Sequence, residues 1–253
     1  MAIDQLYQDS QLAQFYDFDH EWTPAHDYYV KLAESARTIL DLGCGTGILT
    51  NKIAQVYPGK VIFGCDIAAP MLDIAKSKPA GSQITWIQSD AIQLELNKKF
   101  DLIILSGHVF QVFLTHQARV AVLQRIYEHL EEGGIVIFDS RNPLAKEWLT
   151  WTPKESEREF SHPALGTVLA WNDFSIHNDI VTYGTYYRPL NPERVSSNKQ
   201  EYQAFSAITF PGFADIQQAL TSAKLIATDV LGSWQGEVYD EQSEEMIFIV
   251  RKI

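Results

Sequence analysis

Apolar residues recur along this chain in two periods. Five short runs are mostly apolar: 37–42, Lys60–Asp66, Gln83–Gln88, Phe100–Ser106 and Ile135–Asp139. Runs of that length, bounded by turn residues such as Pro58-Gly59, predict strands buried on both faces. Between them the spacing changes to that of helices. Ile48–Val56 follows the first run and Pro70–Ala75 opens a helix after the second. A third helix, 116–130, sets Leu123, Ile126, Tyr127 and Leu130 on one face behind a capping Thr115, and Glu131-Glu132-Gly133-Gly134 ends it before the fifth run. Strands alternating with helices predict a parallel sheet covered on both sides.

The flanks follow other rhythms. Residues 5–36 read as helical, with Leu12, Phe15 and Tyr16 on one spacing, Tyr28, Tyr29, Leu32 and Ala33 on another, and Thr23-Pro24 as a break and new start. The stretch Phe15–Trp22 is dense in aromatic and acidic residues and reads either as a cover on the sheet or as a lid over a bound ligand. From 141 to about 210 the period becomes two, in Thr167–Trp171, Ile180–Tyr187 and Tyr202–Ile208, with a polar loop over Asn191–Lys199. That predicts a small antiparallel sheet inserted into the chain. A helix at Asp215–Leu220 and strands at Leu225–Leu231 and Glu245–Val250 then complete the main sheet.

Composition narrows the functional classes. The chain has 253 residues, 46% of them hydrophobic, which is enough for a core without covalent staples. No apolar run approaches the roughly 18 residues of a membrane span, and Met1-Ala2-Ile3-Asp4-Gln5 has no basic start leading into an apolar core. Cys44 and Cys65 have no His or Cys near them at ligand spacing, so neither a disulfide nor a metal site is expected, and the expected compartment is the cytoplasm. A net charge of −12 without a basic cluster argues against a nucleic acid partner.

The chemistry concentrates at Ile39–Gly47, where a buried strand runs through Asp41 into Gly43-Cys44-Gly45-Thr46-Gly47 and on into a helix. Strand, glycine turn and helix let backbone amides approach a ligand at a helix N-terminus. The dinucleotide fingerprint calls for a glycine where this chain has Ile48, and the third glycine comes one residue earlier. This Gly-x-Gly-x-Gly after an acid resembles motif I of the class I S-adenosylmethionine-dependent methyltransferases. The Phe100-Asp101 pair opening the fourth strand is also usual in that family.

The resemblance, which covers 37–140 well and the flanks loosely, implies a Rossmann-like α/β fold: a seven-stranded, mostly parallel sheet with helices on both faces, to which the period-two stretch adds a small antiparallel β insertion. The segments would be a helical cover at 1–36, a cofactor-binding core at 37–140, the insertion at 141–210, and the last helix and strands at 211–253. By its place after strand five the insertion reads as a substrate cap, or else as a decorative or dimer-forming sheet. S-adenosyl-L-methionine would lie along Gly43, Cys44, Gly45 and Gly47, at the ends of strands one to four. Asp66, about 20 residues past the loop, would accept from both ribose hydroxyls, with Ile67 and Met71 beside it. Asp90 would take the adenine amine and Ala91 would give a backbone amide to the ring. Ser106, at the end of strand four, and Tyr16, reaching the methionine portion, complete the expected set.

His108 follows strand four, and an unperturbed histidine titrates near neutral pH, as a general base should. Arg141, in Arg141-Asn142-Pro143, could clamp a substrate carboxylate or pair with a nearby acid. With Trp148 downstream, this segment resembles a small-molecule branch of the family. Trp22, Trp148, Trp171 and Trp234 could line a pocket, though core or surface packing explains each as well. The expected protein is a methyltransferase for an N, O or other nucleophile of a small molecule, working as a monomer or homodimer. A non-catalytic S-adenosyl ligand-binding protein and an NAD(P)-dependent oxidoreductase are the rival readings.

Overall fold

The computed structural model of the chain describes residues 5–191 and 201–253, so the expected polar loop lies outside the described residues from Pro192 onward, as do Met1–Asp4. The chain begins with α1 (Gln5–Gln8), α2 (Ser10–Ala13), α3 (Tyr16–Asp19) and α4 (Pro24–Leu32). There follow β1 (Thr38–Leu42), α5 (Ile48–Val56), β2 (Val61–Asp66), α6 (Ala69–Ser77), β3 (Thr85–Gln88), β4 (Phe100–Leu105), α7 (His116–His129) and β5 (Leu130–Arg141). Then come β6 (Arg158–His162), β7 (Gly166–His177), β8 (Ile180–Pro189) and β9 (Tyr202–Thr209), and last α8 (Phe213–Ser222), β10 (Leu225–Leu231) and β11 (Glu245–Lys252).

These elements form two compact units, one of Thr23–Ala145 with Thr209–Ile253, the other of Met1–Trp22 with Lys146–Ile208. In the first unit seven strands line up as β10-β11-β5-β4-β1-β2-β3. β1 pairs in parallel with β2 and β4, and β11 runs antiparallel to both β5 and β10. Alternation along each strand divides the core. Leu40, Leu42, Ile103, Leu105, Val136 and Phe138 face one side with α7 and α8 residues such as Leu123 and Ile216. Ile39, Leu102, Ile104 and Ile137 face the other with Tyr29 of α4 and Leu49 and Ile53 of α5. The strand order reverses between β1 and β4, and a parallel sheet holds ligands at the carboxyl ends beside such a switch point. The loops after β1 and β4 carry Gly43–Gly47 and Gly107-His108.

Several boundaries differ from the sequence expectation. β5 starts at Leu130 rather than Ile135: the acidic and glycine residues do not end the helix outside the sheet but lie in an irregular part of the strand, between the pairs Phe100↔Leu130 and Leu102↔Ile135. β3 starts at Thr85, because Gly81–Gln83 makes a 3-10 turn. The expected helical stretch 5–36 is four short helices and a 3-10 turn, and it divides between the two units at Trp22. α4 begins as expected at Thr23-Pro24, its Thr23 N–H donating to His26 Nδ1 at 3.0 Å.

The second unit is a four-stranded antiparallel sheet, β6-β7-β8-β9, one strand more than the alternation showed. β7 and β8 meet at Asn178-Asp179, both at positive φ (48° and 62°), the conformation of a two-residue hairpin. Phe15 stacks on Tyr187 with centroids 4.5 Å apart, in a core with Leu12, Val168, Ala170 and Ala204. Arg158 grips Asp19 with a two-nitrogen fork, and Tyr187 donates to the same carboxylate at 3.0 Å. The aromatic-acidic segment thus packs within this sheet's own unit.

Candidate active site

The loop after β1 is tied to β2: the N–H groups of Gly43 and Cys44 donate to the Cys65 carbonyl at 2.8 and 3.0 Å. Gly43, Gly45 and Gly47 all have positive φ, of 80°, 52° and 67°. Their surroundings separate them. A Cβ on Gly43 would stand 2.7 Å from Val109, and one on Gly47 would stand 2.6 Å from Trp86 and 2.9 Å from Ala75. A Cβ on Gly45, or on Gly107 after β4, would meet nothing within 4 Å. Gly43 and Gly47 therefore admit neighbouring side chains, while Gly45 and Gly107 border open space.

Three carboxyl groups lie on neighbouring parts of the sheet: Asp41 within β1, Asp66 closing β2 and Asp90 after β3. Asp66, closing β2, accepts from Gly45 N–H on one oxygen and from Ala68 N–H on the other, each at 2.8 Å. A carboxylate has about four acceptor sites, so both oxygens retain capacity for hydroxyls. Burial pushes the Asp66 carboxyl up and these backbone donors hold it down. Asp90 follows β3, accepts from Ile92 N–H at 2.9 Å, and lies beside Ser89, whose N–H donates to the Asp66 carbonyl at 3.0 Å. Asp41, within β1, is 1% exposed. Its Oδ2 accepts from the Thr50 hydroxyl, and its Oδ1 has no hydrogen-bond partner among the described residues. Burial pushes this carboxyl up to about 7.

Ile67, next to Asp66, and Ala91, next to Asp90, are half-buried, as is Ser106 after β4, whereas Cys44 is buried and Met71 has no exposed surface. Tyr16 belongs to the other unit, where it stacks on His20 at 4.3 Å. An open groove of about 660 Å³ lies elsewhere, at the amino ends of the strands among Arg37, Lys60 and Asp101.

A second cluster gathers at the ends of β4, β5 and β11. His108, at φ 62°, sets Nε2 2.8 Å from Glu245 Oε1 and 3.3 Å from Asp139 Oδ2. Its backbone N–H donates to Asp139 Oδ2 at 3.1 Å, and the Tyr29 hydroxyl donates to Asp139 Oδ1 at 2.9 Å. Burial raises Asp139 and pushes Glu245 up to about 7. Where the facing carboxyls are ionised, they favour a proton on Nε2. The three donor atoms lie within 4.8 Å of one another, a set that could also hold a divalent cation. Each carboxylate already accepts from a protein donor, however, and the 2.8 Å separation is that of a hydrogen bond.

Arg141 ends β5 directly opposite Glu245, and its Nη1 donates to Gln111 Oε1 at 3.0 Å. Gln111 in turn donates to the Thr209 carbonyl at 2.8 Å. Asn142 serves the backbone: its amide donates to the carbonyls of Glu241 and Ser243 at 3.2 and 2.7 Å. Trp234 packs against Tyr28 and Tyr29, while Trp171 stacks on Tyr186 in the other unit, so each has a packing role. The sequence reading passed over Glu245, Asp139, Tyr29 and Gln111. An acid opening the last strand would have pointed to this cluster once that strand was paired antiparallel with β5, because Glu245 then falls level with Arg141.

Comparison with known proteins agrees with this architecture. Residues 39–134 match the family model described as a methyltransferase domain. The protein named "Putative methyltransferase GWCH70_2453", from Geobacillus sp. (strain WCH70), is 33% identical over 228 residues, covering 87% of this chain and 86% of that one. The cypemycin N-terminal methyltransferase of Streptomyces sp is 24% identical over 216 residues, 85% of this chain and 83% of that one. An S-adenosylmethionine-dependent methyltransferase from Clostridium acetobutylicum ATCC 824 has the same fold, with a TM-score of 0.75 at 18% identity over 92% of this chain and 93% of that one. The 33% identical relative spans most of both chains, and with it the chain belongs to the class I S-adenosylmethionine-dependent methyltransferases. It is an enzyme with S-adenosyl-L-methionine as methyl donor. No helix among the described residues is long and apolar enough to cross a membrane.

The residues present fit that donor. Its adenosine needs a hydroxyl acceptor beside a glycine whose face is open, as Asp66 and Gly45 provide. Its amino group would need an anion, and the buried Asp41 Oδ1 has no hydrogen-bond partner among the described residues.

Proposed function

We propose that this enzyme methylates an amine nitrogen of a small molecule, with His108 as the proton acceptor. The observation that carries this reading is His108 Nε2 facing Glu245 at 2.8 Å and Asp139 at 3.3 Å. Two carboxyls behind one imidazole favour a cationic group at the site. An amine reaches an enzyme mainly as ammonium and cannot attack until a proton leaves. His108 takes that proton, and Asp139 and Glu245 stabilise the imidazolium. The relative named for methylation at the N-terminus of cypemycin supports a nitrogen acceptor.

When bound, S-adenosylmethionine supplies an electrophilic methyl on a positive sulfonium. In this proposal Asp66 holds its ribose, Asp90 and Ala91 its adenine, and Asp41 its amino group, with Gly43, Cys44, Gly45, Ile67 and Ser106 along the contact. Holding the two reactants in line can supply on the order of 7–11 kcal/mol, and a general base adds roughly 10²–10⁴-fold. The insertion leaves the chain five residues after Arg141, at Lys146, and we assign substrate selection to it on that connection. The test is a methyl-transfer assay on amines and their matched alcohols, with the methylated atom located by NMR. Transfer to nitrogen is expected, and transfer to oxygen alone would overturn the proposal.

A further inference from the structure

We infer that Glu245 receives the substrate's ammonium and sets a preference for cationic amines over neutral acceptors of the same shape. This rests on the amine reading above and adds the group that recognises the charge. Glu245 opens β11 opposite Arg141. Its side chain is 20% exposed, as is that of His108. Oε1 is engaged by His108, but Oε2 is buried and has no hydrogen-bond partner among the described residues. A carboxylate oxygen without water or a donor costs free energy until something supplies one. The neighbouring acid is less suited to this part. Asp139 is 2% exposed and already accepts from Tyr29 on Oδ1 and from the His108 backbone on Oδ2.

The groups facing Glu245 come from three elements. They are His108 after β4, Asp139 and Arg141 of β5, and Glu244 beside it on the approach to β11. Arg141 lowers the Glu245 carboxyl electrostatically, yet its Nη1 hydrogen bond goes to the neutral Gln111. The Glu245 side chain keeps a fifth of its surface exposed, and a carboxylate has about four acceptor sites, so a ligand's donor can join His108 at this carboxylate. An ammonium brings a full charge and several N–H donors to that oxygen; a hydroxyl brings one donor and no charge.

The test uses the full chain loaded with S-adenosylhomocysteine and titrated calorimetrically at pH 8 with benzylamine and with benzyl alcohol. The wild type is expected to bind benzylamine at least about tenfold more tightly. Glu245→Gln should lose that preference and Glu245→Asp should keep part of it, both with unchanged S-adenosylhomocysteine affinity. Equal affinity for the two probes in the wild type, no affinity for either, or a preference that survives in Glu245→Gln would overturn the inference. Preference lost in Glu245→Gln together with methyl transfer only to oxygen would sink the amine reading and leave the subsite standing. Transfer to nitrogen with the preference intact in that variant would do the reverse.

Discussion

The Tyr29 hydroxyl donates to Asp139 Oδ1 at 2.9 Å, and this bond lets a helix ahead of the glycine loop orient the acid behind His108. Both side chains are essentially buried, and Trp234 packs against the Tyr29 ring at 5.0 Å. Tyr29→Phe keeps the ring and removes the donor. The buried acceptor left behind should cost about 1–3 kcal/mol of stability, read by denaturant unfolding. The Asp139 carboxyl should also move further up, since the phenol now helps hold it down. Wild-type stability in this variant would show that the bond contributes nothing net.

The glycines predict a contrast. In Gly47→Ala the new methyl would meet Trp86 and Ala75, and the residue would keep a φ of 67°. Overpacking of about 1–3 kcal/mol adds to roughly 1–2 kcal/mol of left-handed strain, so folding should suffer first. In Gly45→Ala the methyl enters open space, leaving only the strain in the free protein. Its main effect should be on S-adenosylhomocysteine affinity. Chemical denaturation and calorimetry of both variants separate the cases, and equal stability losses would refute the division.

Much of this arrangement was legible in the chain. The main strands announced themselves because both of their faces are buried, which makes apolar runs such as Leu102–Leu105 continuous. Motif I and the acid closing β2 were readable because spacing alone brings Gly45 and Asp66 together across adjacent parallel strands. The role of Gly47 was hidden: only the fold brings Trp86, 39 positions later, against it. Glu245 was hidden for a similar reason, since its partners His108 and Asp139 lie more than a hundred residues upstream and meet it through antiparallel pairing. β6 escaped notice because its exposed alternate residues, Glu159 and Ser161, interrupt a weak apolar pattern.

Asp66→Ala tests the ribose assignment. Removing a charged acceptor at this place should weaken S-adenosylhomocysteine binding by more than about 1 kcal/mol. The Gly45 N–H also loses its partner at 2.8 Å, so part of the loss will come from a loosened loop. Thermal unfolding without ligand gives that part. Unchanged affinity by calorimetry would mean that the ribose is held elsewhere.

Asp41 gives a pH prediction with a definite sign. Its folded value, about 7, lies above the ordinary 3.8 because burial disfavours the anion. A carboxyl raised on folding favours the folded state fully below its unfolded value, and that favour is lost as pH climbs from about 4 to about 7. The loss is on the order of a few kcal/mol. Asp41→Asn should flatten this part of the stability curve. A cationic amino group bound against Asp41 would lower the carboxyl again, so ligand binding near pH 6 should release protons. Calorimetry in buffers of different ionisation enthalpy measures that release, which should vanish in Asp41→Asn. No proton release by the wild type would place the amino group away from Asp41.

His108 is best tested by asparagine, which tolerates the positive φ of 62° and keeps the backbone N–H that donates to Asp139. Only the imidazole is then lost. As the proton acceptor, His108 should account for roughly 10²–10⁴-fold in turnover, with little change in S-adenosylhomocysteine affinity. The wild-type kcat/KM should rise with pH through the region near 7 where Glu245 titrates, because the hydrogen-bonded His108–Glu245 pair must lose a proton before it can accept one from the substrate. That rise should flatten in His108→Asn, and Glu245→Gln should move it without abolishing it. A purely architectural histidine predicts something else: reduced stability, with a pH profile of unchanged shape. Full activity in His108→Asn would leave the site with no base and return His108 to a packing role.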